Sequence, residues 1–190
     1  MLANLRALFG VFADIMFLRR GPEHLPPSRP LLAIIVIVHV IVHSLSDRAF
    51  IAPLRPQPMS VLPAQVAAAL LMLLWFRVAL QLAGKAERFV QTMIAVFFIS
   101  LLSVLLVPLY AAMLPFLLAA QDSPDAAAHA PASASLLFLV GGFWILAMLA
   151  RVVKSAFEWH WVIAIAFVLM TSIGISLLLG VLFAGAAKAT

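Results

Sequence analysis

The chain has no cysteine. That excludes a disulfide framework, a thiolate metal site and a catalytic thiol, and it leaves the redox compartment unread. Charge is scarce as well. Asp, Glu, Lys and Arg make up 10% of the 190 residues, where a globular domain carries about a quarter. Too few polar groups remain to coat a water-facing surface. Catalytic signatures are also missing: no G-x-S-x-G elbow, no Walker loop and no H-E-x-x-H, since His39 and His43 enclose only Val40, Ile41 and Val42. No enzyme activity and no cofactor is expected.

Apolar residues fill the space that these absences leave. They make up 66% of the chain, and the mean hydropathy is +1.18. Uninterrupted charge-free runs cover 30–46, 56–76, 89–121, 126–150 and 159–187. Each contains an apolar core of spanning length, since ~20 helical residues cross ~30 Å of hydrocarbon. Backbone groups in lipid must pair within their own segment, so the runs are expected to be helices. The expected fold is all-α: a transmembrane domain over 21–190 with five spans near 30–46, 61–80, 91–112, 135–151 and 160–184. Pro108 and Pro115 are expected to kink or end the third.

The segment 1–20 reads differently. Leu2, Leu5, Leu8, Phe9, Phe12, Ile15 and Met16 recur at helical spacing, with Arg6, Gly10 and Asp14 on another face. It is expected to be an amphipathic helix lying in the membrane interface and retained in the mature protein. Gly21, Pro22, Pro26, Pro27 and Pro30 then turn the chain into the first span.

The formal charge is +5, but the twelve Lys and Arg residues are scattered between apolar runs. Scattered cations argue against a nucleic-acid patch and for positive-inside topology. With the N-terminus in the cytoplasm, the inner segments hold eight cations: Arg6, Arg19, Arg20, Arg29, Lys85, Arg88, Arg151 and Lys154. The outer segments hold three, Arg48, Arg55 and Lys188, and Arg77 lies within the second span. The expected location is a bacterial inner (cytoplasmic) membrane.

Some residues could carry chemistry. His39 and His43 stand four apart on one helix face, and Asp47 continues the stripe. Two His at that spacing can share a metal, and a carboxylate can complete the set. The competing reading, favoured here, is polar side chains facing the bundle or the interface. Arg77, Lys85 and Arg88, with Gln81, form a polar stripe that suits an anion or lipid headgroup; a helix leaving the membrane there is the plainer account. Arg151, Lys154, Glu158 and His160, flanked by Trp159 and Trp161, read as an interfacial anchor. Ser172, Ser176, Gly180 and Ala184 repeat every four residues, a spacing that lets helix backbones approach closely. Packing inside the same bundle is preferred over a dimer face.

The plan of short amphipathic segment, Arg-Gly-Pro turn and five spans resembles the Yip family of Ypt/Rab-interacting membrane proteins, in its small bacterial form. The turn here is Arg19-Arg20-Gly21-Pro22-Glu23-His24-Leu25-Pro26, and the connection from Gly84 to Thr92 is similar too. The Asp-Leu-Tyr-Gly-Pro stretch of eukaryotic members is absent. The resemblance implies a non-enzymatic membrane organiser or accessory subunit. Its partners would be lipids, other membrane proteins or a second copy. The alternatives are a small transporter or channel component, and a metal or haem carrier through His39 and His43.

Overall fold

A computed structural model describes residues 2–52, 61–119 and 131–184. Arg55, Lys188 and residues 120–130 of the connection between the third and fourth spans lie outside the described residues. So do the side chains of Leu2, Leu5 and Ala184.

The described residues are about 90% helical, without strands. Helix α1 covers Leu2–Met16, and a 3-10 turn at Pro22–His24 follows it. Next come α2 (Arg29–Ser46), α3 (Val61–Leu82), α4 (Phe89–Ser103), α5 (Val107–Ala119), α6 (Ala132–Phe157) and α7 (Trp161–Ala184). Among the described residues, five stretches are long and apolar enough to cross a membrane: Arg29–Ile51, Val61–Leu82, Ala86–Ala119, Ala132–Phe157 and Trp161–Phe183. The protein is an all-α integral membrane bundle.

Local chemistry sets several boundaries. The Ser28 hydroxyl accepts from Leu31 N–H and Pro30 fills the first turn, so α2 starts where its free N–H groups are satisfied. The helix does not stop at Asp47. It runs on through a π-helical turn, Asp47–Ile51, while the Asp47 carboxylate accepts from Gln65 Nε2 at 2.7 Å. That extra turn lengthens the first span beyond its charge-free run.

Of the two outcomes expected at the prolines of the third span, the structure rules out an end. A 3-10 turn at Val104–Leu106 joins α4 to α5, which places Pro108 in the first turn of α5, where no N–H is needed. Pro115 sits inside the helix.

Helix α4 lies at the centre. Thr92, Met93, Ile94, Ala95, Val96, Phe97 and Ile99 are all buried, under α2, α3, α6 and α1. Its buried Thr92 hydroxyl donates to Arg88 O, so no polar group is stranded. Helix α7 packs on α6 and α3 through Ala164, Val168 and Thr171. Helix α1 buries Phe12 and Ile15 in the same core, with Phe12 stacked on Phe98 at a 4.1 Å centroid distance. The Trp144 indole donates to Met16 O at 3.1 Å and fixes the end of α1 against α6. The apolar face of α1 is divided, since Phe9 remains exposed, as does Phe17 just after the helix.

Candidate functional site

At one end of the bundle, chain segments far apart in sequence meet. Helix α6 ends at Phe157, and Glu158 follows with φ 60° and ψ 31°, the left-handed conformation. A non-glycine residue costs about 1 kcal/mol there. Both oxygens of the side chain are paired. Lys85 donates to Glu158 Oε2 at 2.7 Å and Arg88 donates to Glu158 Oε1 at 2.6 Å. Hydrogen bonds from Lys85 and then Arg88 hold the Glu158 carboxyl below its ordinary value of 4.5. Arg88 also donates to Ser155 O and Ala156 O, two carbonyls that the end of α6 leaves free.

The turn after α1 completes the rim. Ser155 Oγ donates to Glu23 Oε2 at 2.6 Å, and Gln91 Nε2 donates to Glu23 O and Leu25 O. Gly21 lets the Glu23 and Ser155 side chains close over the turn, and its φ of −102° is open to any residue. A Cβ at this position would run into the Glu23 carboxylate and the Ser155 hydroxyl. Beneath the rim, Phe157 packs with Trp159, Phe167 and Phe76, so α3, α6 and α7 are joined by aromatic rings just inside the ion pairs.

A recess of about 470 Å³ opens in this rim, lined by Glu23, Arg88, Gln91, Arg151, Lys154 and the residues around Glu158. Lys154 Nζ lies 5.6 Å from the centre of the Trp161 ring. Arg151 Nε is buried without a hydrogen-bond partner among the described residues.

The stripe Arg77, Lys85 and Arg88 is only partly assembled. Lys85 and Arg88 converge on Glu158, but Arg77 is exposed elsewhere, over the Phe89 ring at 5.4 Å. Helix α3 ends between Arg77 and Lys85, and the turn at Gly84 redirects the chain.

His39 and His43 do meet, with ring centroids 4.3 Å apart. His43 has a backbone partner. Val104 N–H bonds to Leu101 O and Leu102 O as α4 gives way to the 3-10 turn, which releases Ser100 O. His43 Nε2 lies 2.9 Å from that oxygen and Ser103 Oγ donates to it at 2.6 Å. His39 is buried against the edge of Phe97. Asp47 is engaged by Gln65. No group of three or more potential metal-ligating side chains gathers among the described residues.

The small-residue stripe of α7 does not face the bundle. Ser172, Ser176 and Gly180 are exposed, and a Cβ on Gly180 would have nothing within 4 Å. Each residue turns an α-helix by about 100°, so burying Thr171 carries Ser172 away from the interior. Because α7 is apolar all round, its pattern could not show which side packs.

Glu23, Gln91, Ser155 and the central role of Glu158 escaped sequence reasoning. Only the opposite charges of Lys85, Arg88 and Glu158 hinted at it, across seventy residues of chain. Comparison with protein-family models, characterised proteins and solved structures finds no match for the chain.

Proposed function

We propose that this is a non-enzymatic scaffold or accessory subunit, acting through helix–helix and lipid contacts. Its setting would be a bacterial inner membrane, with the N-terminus and the Glu158 rim on the cytoplasmic side. The carrying observation is the filling of the bundle: Met93, Ile94, Phe97, Met148 and Val152 are fully buried where the helices cross. A transporter places polar groups at matching depth on several spans, whereas these five side chains are apolar and His39 is the buried ionisable group beside them. Polar groups at the rim fasten one segment to another. The outward surface of the spans is apolar from Ile34 on α2 to Leu182 on α7, as contact with lipid or other spans requires. The five-span plan shared with the Yip family points the same way.

Crosslinking in native membranes, followed by purification, tests this. A second copy or another spanning protein should be recovered at fixed stoichiometry. Reconstituted protein that moves ions or solutes faster than empty vesicles would overturn it.

One observation favours the transporter reading. His39 Nδ1, Ser44 Oγ and Ser46 Oγ are buried without hydrogen-bond partners among the described residues, on the stretch of α2 that carries His43 and leads into Asp47. If the flux assay is positive, that polar file is the place to substitute first.

A further inference from the structure

We infer that the recess at the Glu158 rim binds a phosphate group, supplied by an anionic phospholipid headgroup or by a soluble phosphate. The recess lies between the Pro22–His24 turn, the start of α4 and the end of α6. Its volume of about 470 Å³ falls within the range of small-ligand sites and is much larger than one phosphate needs. A headgroup with its linker would occupy the remainder.

Charge selects the ligand class. Of the lining groups, Glu158 is already matched by Lys85 and Arg88, and Glu23 accepts from Ser155 and lies 3.5 Å from His24. Arg151 and Lys154 make no ion pair among the described residues, which leaves two cations facing the recess. The Arg151 guanidinium is the sharper signal. Its Nε is shielded from solvent and has no acceptor, and a buried donor without an acceptor costs about 1–3 kcal/mol. Arg151 lines the recess, and the planar fork of Arg suits two oxygens of one phosphate. Lys154 adds a point charge from the next turn of α6.

Position supports a membrane source. Trp159 lines the recess and Trp161 begins α7 beside it. Indoles collect at the level of the headgroups, so the two free cations sit where lipid phosphates lie.

This inference needs only an integral membrane protein. It holds whether the chain is a scaffold or a transporter, and its test uses the isolated chain without any partner. The full-length protein is placed in nanodiscs of mixed phosphatidylglycerol and phosphatidylcholine, then released and analysed by native mass spectrometry. Wild type should retain phosphatidylglycerol over phosphatidylcholine. Arg151→Gln with Lys154→Gln should retain it about tenfold less, the size expected for losing a charge-assisted hydrogen bond. Arg77→Gln, on another face, should behave as wild type. In a parallel arm, inorganic phosphate is titrated against thermal stability in detergent. Stabilisation of wild type but not of the double variant, without lipid retention, assigns the site to a soluble phosphate.

Should the double variant fail to fold, Lys154→Gln alone and the wild-type comparison of the two lipids still decide. Equal retention of both lipids together with no response to phosphate overturns the proposal. So does phosphatidylglycerol retention that the substitutions leave unchanged.

Discussion

Glu158 links strain, charge and topology in one residue. Its left-handed backbone ends α6, and its carboxylate gathers Lys85 and Arg88 from the α3–α4 connection. Because its folded value lies below 4.5, its contribution is complete above the ordinary carboxylate range and is lost as pH falls through the folded value. Thermal stability in detergent should therefore fall on acidification below about pH 4.5. Glu158→Gln should lower stability at neutral pH and flatten that acid limb. An acid limb of equal steepness in the variant would show that Glu158 is not the linked group.

His43 makes a quieter contribution at the opposite side of α4. It meets a carbonyl released by the change from α to 3-10 geometry. His43→Leu should cost about 1 kcal/mol, one hydrogen bond, and leave metal content unchanged. Stoichiometric metal in wild type that disappears in this variant would restore the carrier reading.

Among the elements, α7 shows most plainly which side of a uniformly apolar helix is used. Ala164 is fully buried, while Gly180 is exposed with open space around it. Ala164→Leu should overpack the contact with α6 and α3 and destabilise the protein by about 1–3 kcal/mol. Gly180→Leu should leave the isolated protein as stable as wild type or slightly more so, since Gly in a helix is unfavourable by about 1 kcal/mol. Thermal unfolding of both variants in one detergent checks this. A large loss in Gly180→Leu alone would mean that the inward face has been misassigned. If that variant keeps its stability but loses a crosslinked neighbour, the stripe is a contact between proteins.

Helix α1 is a second case. Leu8, Phe12, Ile15 and Met16 follow one stripe, and the stripe packs on α4 and α6. The exposed Phe9 and Phe17 leave an apolar edge for lipid.

For the whole molecule, the balance of cations predicts the orientation. Ser133 and His160 are exposed at opposite ends of α6. With the N-terminus inside, Ser133→Cys should react with a membrane-impermeant thiol reagent on intact cells and His160→Cys should not. The chain has no native cysteine to confuse the result. The reverse pattern would invert the topology and place the phosphate recess on the outer face.

The sequence by itself determined the solvent, the secondary structure and the number of spans. These follow from scarce charge and from the demand that a backbone in lipid bond within its own helix, which needs no knowledge of neighbours. It also carried the local punctuation at Gly21 and Pro30, and the apolar stripe of α1. Only the tertiary structure decided which helix is central, which side of α7 packs, and that Glu23, Lys85, Arg88, Ser155 and Glu158 share one rim. In water, burial marks the inner face of a helix by its apolar residues. In lipid both faces are apolar, and the small residues that mark a packed face occur on the exposed side of α7 as well, at Ser172, Ser176 and Gly180. Ion pairs between distant segments leave no compositional trace, because the chain must fold before Arg88 and Glu158 are neighbours.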